Sequence, residues 1–145
     1  MEITNCRWFG LANRYYNLYL SQRLACLGLN VGQHLIVLAV CREPGITQDR
    51  LPAQLGLNKS NVARGLATLE EKGFVERRIN ENDKRTAHIW PTEKGRETYP
   101  LIMDIVRDWD SNVIAIFSDE ENAKLKRQLQ QIAEAAMRFV KGNGD

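Results

Sequence analysis

The chain has 145 residues, of which 43% are hydrophobic, and a formal net charge of +2, which is the size and composition of one folded domain. Its longest apolar runs are too short to cross a bilayer and residues 1–5 do not resemble a secretory leader, so we expect a cytoplasmic protein without membrane contact. Its three cysteines show neither CxxC nor Cys/His spacing, so we expect free thiols and no disulfide framework, metal site or cofactor.

Two helices are predicted in the first part of the chain. Residues 7–27 carry apolar side chains at spacings of three and four, and Gly28 ends this helix. The stripe consists of Leu11, Tyr15, Leu18, Tyr19 and Ala25. Residues 32–42 are nearly all apolar and are followed by Pro44, which predicts a second helix that is buried on most sides.

A short helix, a tight turn and a longer helix are predicted next. Thr47 is the candidate N-cap of the short helix, which runs to Leu55. Pro52 lacks an amide donor, so this helix either starts late or tolerates a small distortion. Asn58 can cap the longer helix, which spans residues 59–72. Its apolar stripe consists of Val62, Leu66 and Leu69.

A short β-hairpin and two long helices complete the prediction. Residues 74–79 alternate in part, residues 80–84 form a polar turn, and residues 88–90 form the returning strand. Residues 92–116 carry apolar positions at helical spacing. The last helix, residues 118–140, opens with a Ser-Asp-Glu-Glu capping box. The order of these elements indicates a mainly α (α+β) fold with a winged helix-turn-helix.

The polar face of helix 59–72 is the strongest candidate for contact with DNA. At about 100° per residue, Ser60 and Arg64 lie opposite the apolar stripe and Asn61 lies to its side, and Lys59 near the helix start adds positive charge. A guanidinium can donate two hydrogen bonds to guanine, and hydroxyl and amide groups can bond base edges or phosphates. Other candidates are Thr47 and Gln48 before this helix, and Lys84 and Arg85 at the hairpin tip, a pair suited to phosphates and the minor groove.

Asp83 lies beside this basic tip. Its carboxylate could pair with the guanidinium of Arg85 or of Arg77 across the hairpin, which would orient the wing before DNA binds. An ordinary solvated helix face and hairpin tip are the alternatives to DNA contact.

The distribution of charge agrees with a polyanionic partner for the middle of the chain. Residues 1–41 carry three basic and one acidic side chain, residues 42–96 carry eleven and eight, and residues 97–145 carry six and nine. The basic excess therefore lies ahead of an acidic C-terminal third.

At these positions the sequence resembles the MarR (multiple antibiotic resistance regulator) family. The residues that carry the resemblance are Ile46 to Leu51, Leu55 to Val62, Leu69 to Arg77, Asn82 to Arg85, and Pro91-Thr-Glu-Lys-Gly95. The wing pattern Asp-x-Arg followed by Thr-Glu-x-Gly is the most specific part. The resemblance covers nearly the whole chain, with departures at Pro52 and Pro91.

The resemblance implies a homodimer that binds a pseudo-palindromic operator in double-stranded DNA, acting most often as a repressor. It implies a single MarR-like domain, residues 1–145. Residues 32–91 would form the DNA-binding lobe, and residues 1–31 and 92–145 the helical dimerisation lobe. In the family, a small phenolic or lipophilic effector, or oxidation of a cysteine, releases the DNA.

Sensing residues are less clearly marked by the sequence. Candidate effector contacts are Tyr15, His34 and Trp109, with a satisfied histidine and core aromatics as the alternative. Cys6 is similar in position to the reactive cysteine of the peroxide-sensing branch. The tyrosines that bond the thiol there are absent, so oxidant sensing and a buried interface thiol both stay open.

Other classes of function remain as alternatives to a DNA-binding regulator. No nucleophile, metal or phosphate-binding motif of an enzyme is present, so we expect no catalytic residues. A winged-helix adaptor that binds protein is the stronger rival. It would be favoured if the face of helix 59–72 that bears Arg64 were covered by its own subunit.

Overall fold

Side-chain capping sets the start of the second of two N-terminal helices. The computed structural model describes residues 4–142, so the outermost residues of the dimerisation lobe predicted above lie outside it. Helix α1 spans Asn5–Ala25 and α2 spans Val31–Arg42. The side chain of Asn30 accepts a hydrogen bond from the amide of Gln33 at 2.8 Å, and the side chain of Gln33 accepts one from the amide of Asn30 at 3.0 Å. This capping box begins α2 one residue before the prediction.

Pro52 delays the third helix. A short strand β1 (Ile46–Thr47) and a 3-10 turn (Gln48–Arg50) precede α3 (Leu51–Leu55), which has Pro52 in its first turn, where the missing amide costs no hydrogen bond. The prediction of a late start is therefore confirmed. The prediction that the hydroxyl of Thr47 caps this helix is wrong, because Thr47 belongs to β1 and its side chain makes no capping bond.

Helix α4 spans Lys59–Glu71 and is capped as the sequence predicts. The side chain of Asn58 accepts a hydrogen bond from the amide of Asn61 at 2.7 Å. The buried residues of α4 are Val62, Leu66 and Leu69, which are the apolar stripe of the prediction.

Three antiparallel strands in the order β1-β3-β2 form the sheet. Strand β2 spans Val75–Asn80 and β3 spans Asp83–Pro91, so the turn between them is shorter than the predicted turn at residues 80–84. Ile89 of β3 lies opposite Ile46 of β1 and opposite Arg77 of β2. The sheet thus extends from the hairpin to the segment that begins the helix-turn-helix.

The long helix predicted over residues 92–116 is shorter in the structure. Helix α5 spans Glu93–Trp109 and is followed by a π-helical segment, Asp110–Ile114, where the amide of Ala115 donates to the carbonyl of Asp110 at 3.0 Å. Helix α6 spans Asp119–Gly142. Its predicted capping box is confirmed, since Ser118 and Glu121 bond each other's amides at 2.9 and 3.2 Å.

The described chain divides into two units, one ending at Val106 and the other beginning at Arg107. The first unit has one apolar core, drawn from α1 to α5 and the sheet. Within it α1 buries Leu20 and Leu24, whereas Leu11, Tyr15 and Leu18 of the predicted stripe are exposed. In the second unit, α6 has no buried residue. No helix in residues 4–142 is long and apolar enough to span a bilayer.

Candidate nucleic-acid interface

One face of α4 is polar and open to solvent. Ser60, Asn61 and Arg64 are exposed, as the helical periodicity predicts, and Lys59 at the helix start is exposed as well. The guanidinium of Arg64 donates a hydrogen bond to the side-chain oxygen of Asn61 at 2.5 Å, one turn earlier on the helix. This bond holds two of the candidate base-reading groups side by side before any ligand is present.

The opposite face of α4 packs closely on α2. A Cβ at Gly65 would lie 2.7 Å from the terminal methyl of Ile36, so any larger residue there would force Ile36 to move. Val62 and Leu66 flank this contact and are buried. Close packing against α2 keeps the polar face of α4 turned outward.

A groove joins the 3-10 turn to the hairpin. It has a volume of about 280 Å³ and brings together Gln48, Arg77, Lys84 and Arg85, which lie far apart in the sequence. Thr47 lies at the edge of the sheet, opposite His88. The structure therefore places four of the candidate residues around one basic groove and four others on α4.

The hairpin tip is held by hydrogen bonds to the side chain of Asp83. The carboxylate of Asp83 accepts bonds from the amide of Arg85 at 3.1 Å and from the hydroxyl of Thr86 at 3.3 Å. Arg77 lies 3.9 Å from the carboxylate of Glu70. The predicted pairing of Asp83 with a guanidinium is therefore not what the structure shows, because a local Asx-type bond uses both carboxylate oxygens. Asp83 still shapes the tip, because its carboxylate bonds the backbone amide of Arg85, and it leaves the side chain of Arg85 exposed.

The base of the hairpin is locked to the end of α4 by Thr92. Its hydroxyl lies 2.5 and 3.0 Å from the carbonyl oxygens of Gly73 and Phe74, and it also accepts a bond from the amide of Gly95 at 3.1 Å. A Cβ at position 95 would lie only 2.2 Å from the carbonyl oxygen of Phe74, so only glycine fits there. The Thr-Glu-Lys-Gly sequence therefore fixes the hairpin relative to α4.

The three candidate effector residues have different environments. His34 is only 2% exposed, and its Nδ1 contacts the carbonyl of Val31. Burial lowers the pKa of its imidazole. Tyr15 is exposed on α1, and Trp109 belongs to the second unit. His34 is thus a buried histidine with a hydrogen-bond partner near a helix start, and its role as an effector contact stays a prediction.

A different cavity lies beside α4. It has a volume of about 270 Å³ and is lined by α2 and α4, including Gln33, Asn61, Arg64 and Thr68.

Cys6 and Cys26 are exposed in the single chain and Cys41 is partly buried. In the described residues no cluster of three or more histidine, cysteine or carboxylate side chains is arranged to hold a metal ion.

Sequence reasoning missed three residues of the hairpin groove, Asp49, Ile79 and Ala87. Ile79 follows Arg77 by two positions on β2, so strand alternation places both on one face of the sheet. That signal was available in the sequence. Asp49 lies in the 3-10 turn, and this turn approaches the hairpin because β1 pairs with β3. Strand β1 has only two residues, so it is too short to be detected in the sequence as an alternating pattern.

Comparison with known proteins gives a consistent family assignment. A family model described as the MarR family matches residues 27–86. The HTH-type transcriptional regulator BilQ of Clostridium symbiosum is 28% identical over 92% of this chain and 93% of its own length. The transcriptional repressor MprA of Escherichia coli K12 is 38% identical over 43% of this chain and 36% of its own length.

A solved structure agrees over the full described fold. A MarR-family regulator from Listeria monocytogenes, solved in complex with a 26mer DNA, superposes with a TM-score of 0.85 at 27% identity, and covers 100% of this chain and 98% of its own. The winged helix-turn-helix predicted from the sequence is confirmed by this likeness.

Proposed function

We propose that this chain is a transcriptional regulator of the MarR family, which binds double-stranded DNA as a homodimer and represses the genes beside its operator. The observation that carries the proposal is the uncovered polar face of α4, where Asn61 and Arg64 are hydrogen bonded to each other and exposed. An adaptor that had lost DNA binding would be expected to cover this face. The family consists of regulators, so no reaction is assigned to the chain.

DNA contact is divided between two structural elements. The face of α4 enters the major groove, where Arg64 donates to guanine and Asn61, Ser60 and Lys59 contact neighbouring bases or phosphates. Lys84 and Arg85 reach the flanking minor groove, with Gln48 and Thr47 near the backbone between them. Arg77 and Asp83 shape the hairpin. The Listeria relative was solved in complex with DNA, which supports DNA contact by this chain.

The homodimer is proposed from the exposed apolar side chains of the terminal helices. Helix α1 exposes Trp8, Phe9, Leu11, Tyr15 and Leu18, and α6 exposes Leu129, Ile132, Met137, Phe139 and Val140. Apolar stripes of this size on a regulator with a two-fold operator are covered most simply by a second copy of the chain. Residues 32–91 then form the DNA-binding lobe, and residues 1–31 and 92–145 form the dimerisation lobe.

Repression and release complete the proposal. The E. coli relative is named as a repressor, which supports repression here. A small lipophilic or phenolic effector would release the DNA by changing the separation of the two α4 helices. The cavity between α2 and α4 is the site that the geometry supports best, because Asn61 and Arg64 line it. Tyr15, His34 and Trp109 remain second candidates, and oxidation of Cys6 remains the alternative signal.

The test is selection of an operator followed by substitution. Wild-type protein selects duplexes from a random library, and the affinity of Arg64→Ala is measured for the selected duplex and for single-base variants. We expect a loss of about 1 to 3 kcal/mol on the selected duplex and weaker discrimination at one base pair. Arg85→Ala should instead lower the dependence of affinity on salt, because a phosphate contact is removed.

Two results would contradict the proposal. If wild-type protein enriches no duplex, DNA recognition fails and the adaptor is favoured. If Arg64→Ala weakens every duplex equally, Arg64 contacts phosphate and base reading belongs to other residues.

A further inference from the structure

Two lysine side chains connect three helices of the first unit at one place. The ammonium of Lys72, the C-cap residue of α4, donates to the carbonyl oxygen of Gly28 at 2.8 Å. The ammonium of Lys94, in the first turn of α5, donates to the carbonyl oxygen of Lys72 at 2.8 Å and lies 4.3 Å from the ring centre of Phe74. Lys72 is therefore bonded on one side to the end of α1 and on the other to the start of α5.

The two contacts satisfy one carbonyl group at the end of a helix and one carbonyl group in the turn after a helix. Gly28 follows the last turn of α1, and Lys72 follows the last residue of α4. The last carbonyls of α4, that of Lys72 among them, lack intrahelical partners and carry the negative end of the helix dipole, so the ammonium of Lys94 is attracted there. A hydrogen bond to a charged donor is also stronger than a neutral one. These bonds therefore offset the entropy lost when two long, exposed side chains are ordered.

Lys72 is far from the surface proposed to bind DNA. At a rise of about 1.5 Å per residue, it lies roughly 16 Å along the helix from Asn61. Of the hydrogen bonds described for residues 4–142, the Lys72 bond is the one that joins the end of α4 to the segment after α1. Any effect of Lys72 on the affinity for DNA would therefore be exerted through the position of α4.

We propose that Lys72 is a positioning residue, which couples the DNA-reading helix α4 to the dimerisation helix α1. The inference rests on the proposed function, in which α1 packs against a second copy and α4 reads bases. The bond to Gly28 transmits the placement of α1 in the dimer to the end of α4. The separation of the two α4 helices, and hence the spacing of half-sites that the dimer accepts, depends on this bond.

The experiment measures tolerance of half-site spacing. The probes are the duplex selected by the wild-type protein and the same duplex with one base pair inserted or removed at its centre. The variants are K72M, which removes the ammonium, and K72R, which keeps a cationic donor. The matched control is K124M, which removes the same charge from an exposed lysine of α6.

For K72M we expect about a tenfold loss of affinity for the selected duplex and a smaller loss for the altered duplexes, so that the affinity ratio between them falls. K72R should restore the ratio, and K124M should match wild type. A purely structural defect lowers the folded fraction and weakens all duplexes by the same factor, and circular dichroism measures that fraction. K72Q gives the same expected ratio if K72M does not fold.

The outcomes separate the two claims. If wild-type protein selects a duplex and the K72M and K72Q proteins keep its spacing ratio, the coupling is overturned while DNA recognition stands. A K72R protein that behaves like K72M would also overturn it. If wild-type protein selects no duplex, the proposed function fails, and the coupling fails with it.

Discussion

Helices α4 and α6 carry the same kind of apolar stripe, but within the single chain the stripe of α4 is buried and the stripe of α6 is not. Val62, Leu66 and Leu69 of α4 are buried, whereas Leu129 and Ile132 of α6 are each 44% exposed. Both stripes follow helical spacing, so periodicity alone does not separate them. An amphipathic pattern predicts that a face will be covered, and it does not say which chain provides the cover.

The largest expected effect is on stability, and it is tested by comparing a phenylalanine of the first unit with a phenylalanine of α6. Phe74 is 1% exposed in the first unit, and Phe139 is 72% exposed on α6. Phe74→Ala should lower the free energy of unfolding by about 3 to 5 kcal/mol, because it leaves a cavity in the core. Phe139→Ala should change it by about 0.5 kcal/mol or less at low protein concentration. Urea denaturation measures both, and equal losses would show that the two regions do not differ as described.

The next prediction concerns the second copy of the chain that is proposed to cover the apolar stripe of α6. Leu129→Lys combined with Ile132→Lys should raise the dissociation constant of the dimer by about 100-fold or more, because two charges would be buried in its interface. Sedimentation velocity measures the association, and circular dichroism checks that the first unit remains folded. The control is Ala123→Lys with Gln130→Lys, which adds the same charge away from the stripe. A double variant that still sediments as a dimer would contradict the role of this face.

The smallest expected effect concerns pH and the first unit alone. Burial lowers the pKa of His34 below its ordinary value, so the folded state holds the imidazole neutral more strongly than the unfolded state does. The resulting stability is present above the ordinary pKa near 6.5 and is lost as pH falls through the lowered value.

Urea midpoints at about pH 7.5 and about pH 5.5 test this prediction. The decrease on acidification should be smaller for His34→Gln than for wild type. His88→Gln separates the effect of His34 from the removal of any histidine. An equal decrease in wild type and His34→Gln would assign the pH dependence to other groups.

Features that depend on nearby residues were predictable from the sequence. Asn58 and Ser118 cap their helices as expected, because each bonds an amide only three residues away. The exposed face of α4 follows from helix geometry and one buried stripe. The family resemblance placed the wing, since the Asp-x-Arg and Thr-Glu-x-Gly patterns are local sequence features too.

Features that depend on distant pairing were missed or wrong. Strand β1 has two residues and forms because Ile46 pairs with Ile89. No short-range sequence pattern predicts this pairing. The guanidinium partner assigned to Asp83 was wrong, because the nearer amide of Arg85 competes for the same oxygen. The sequence did not predict the hydrogen bonds of Lys72 and Lys94, because their acceptors are carbonyl groups 44 and 22 residues away.

The absence of buried residues in α6 also bears on how long the protein survives in a cell. A lone subunit presents 24 helical residues to proteases, with Lys124, Lys126 and Arg127 all accessible to trypsin-like enzymes. In the proposed dimer this helix would be shielded, so dilute chains would be degraded faster than abundant ones. Turnover would then rise as the regulator becomes scarce, which makes its disappearance after synthesis stops steeper than a simple exponential decay.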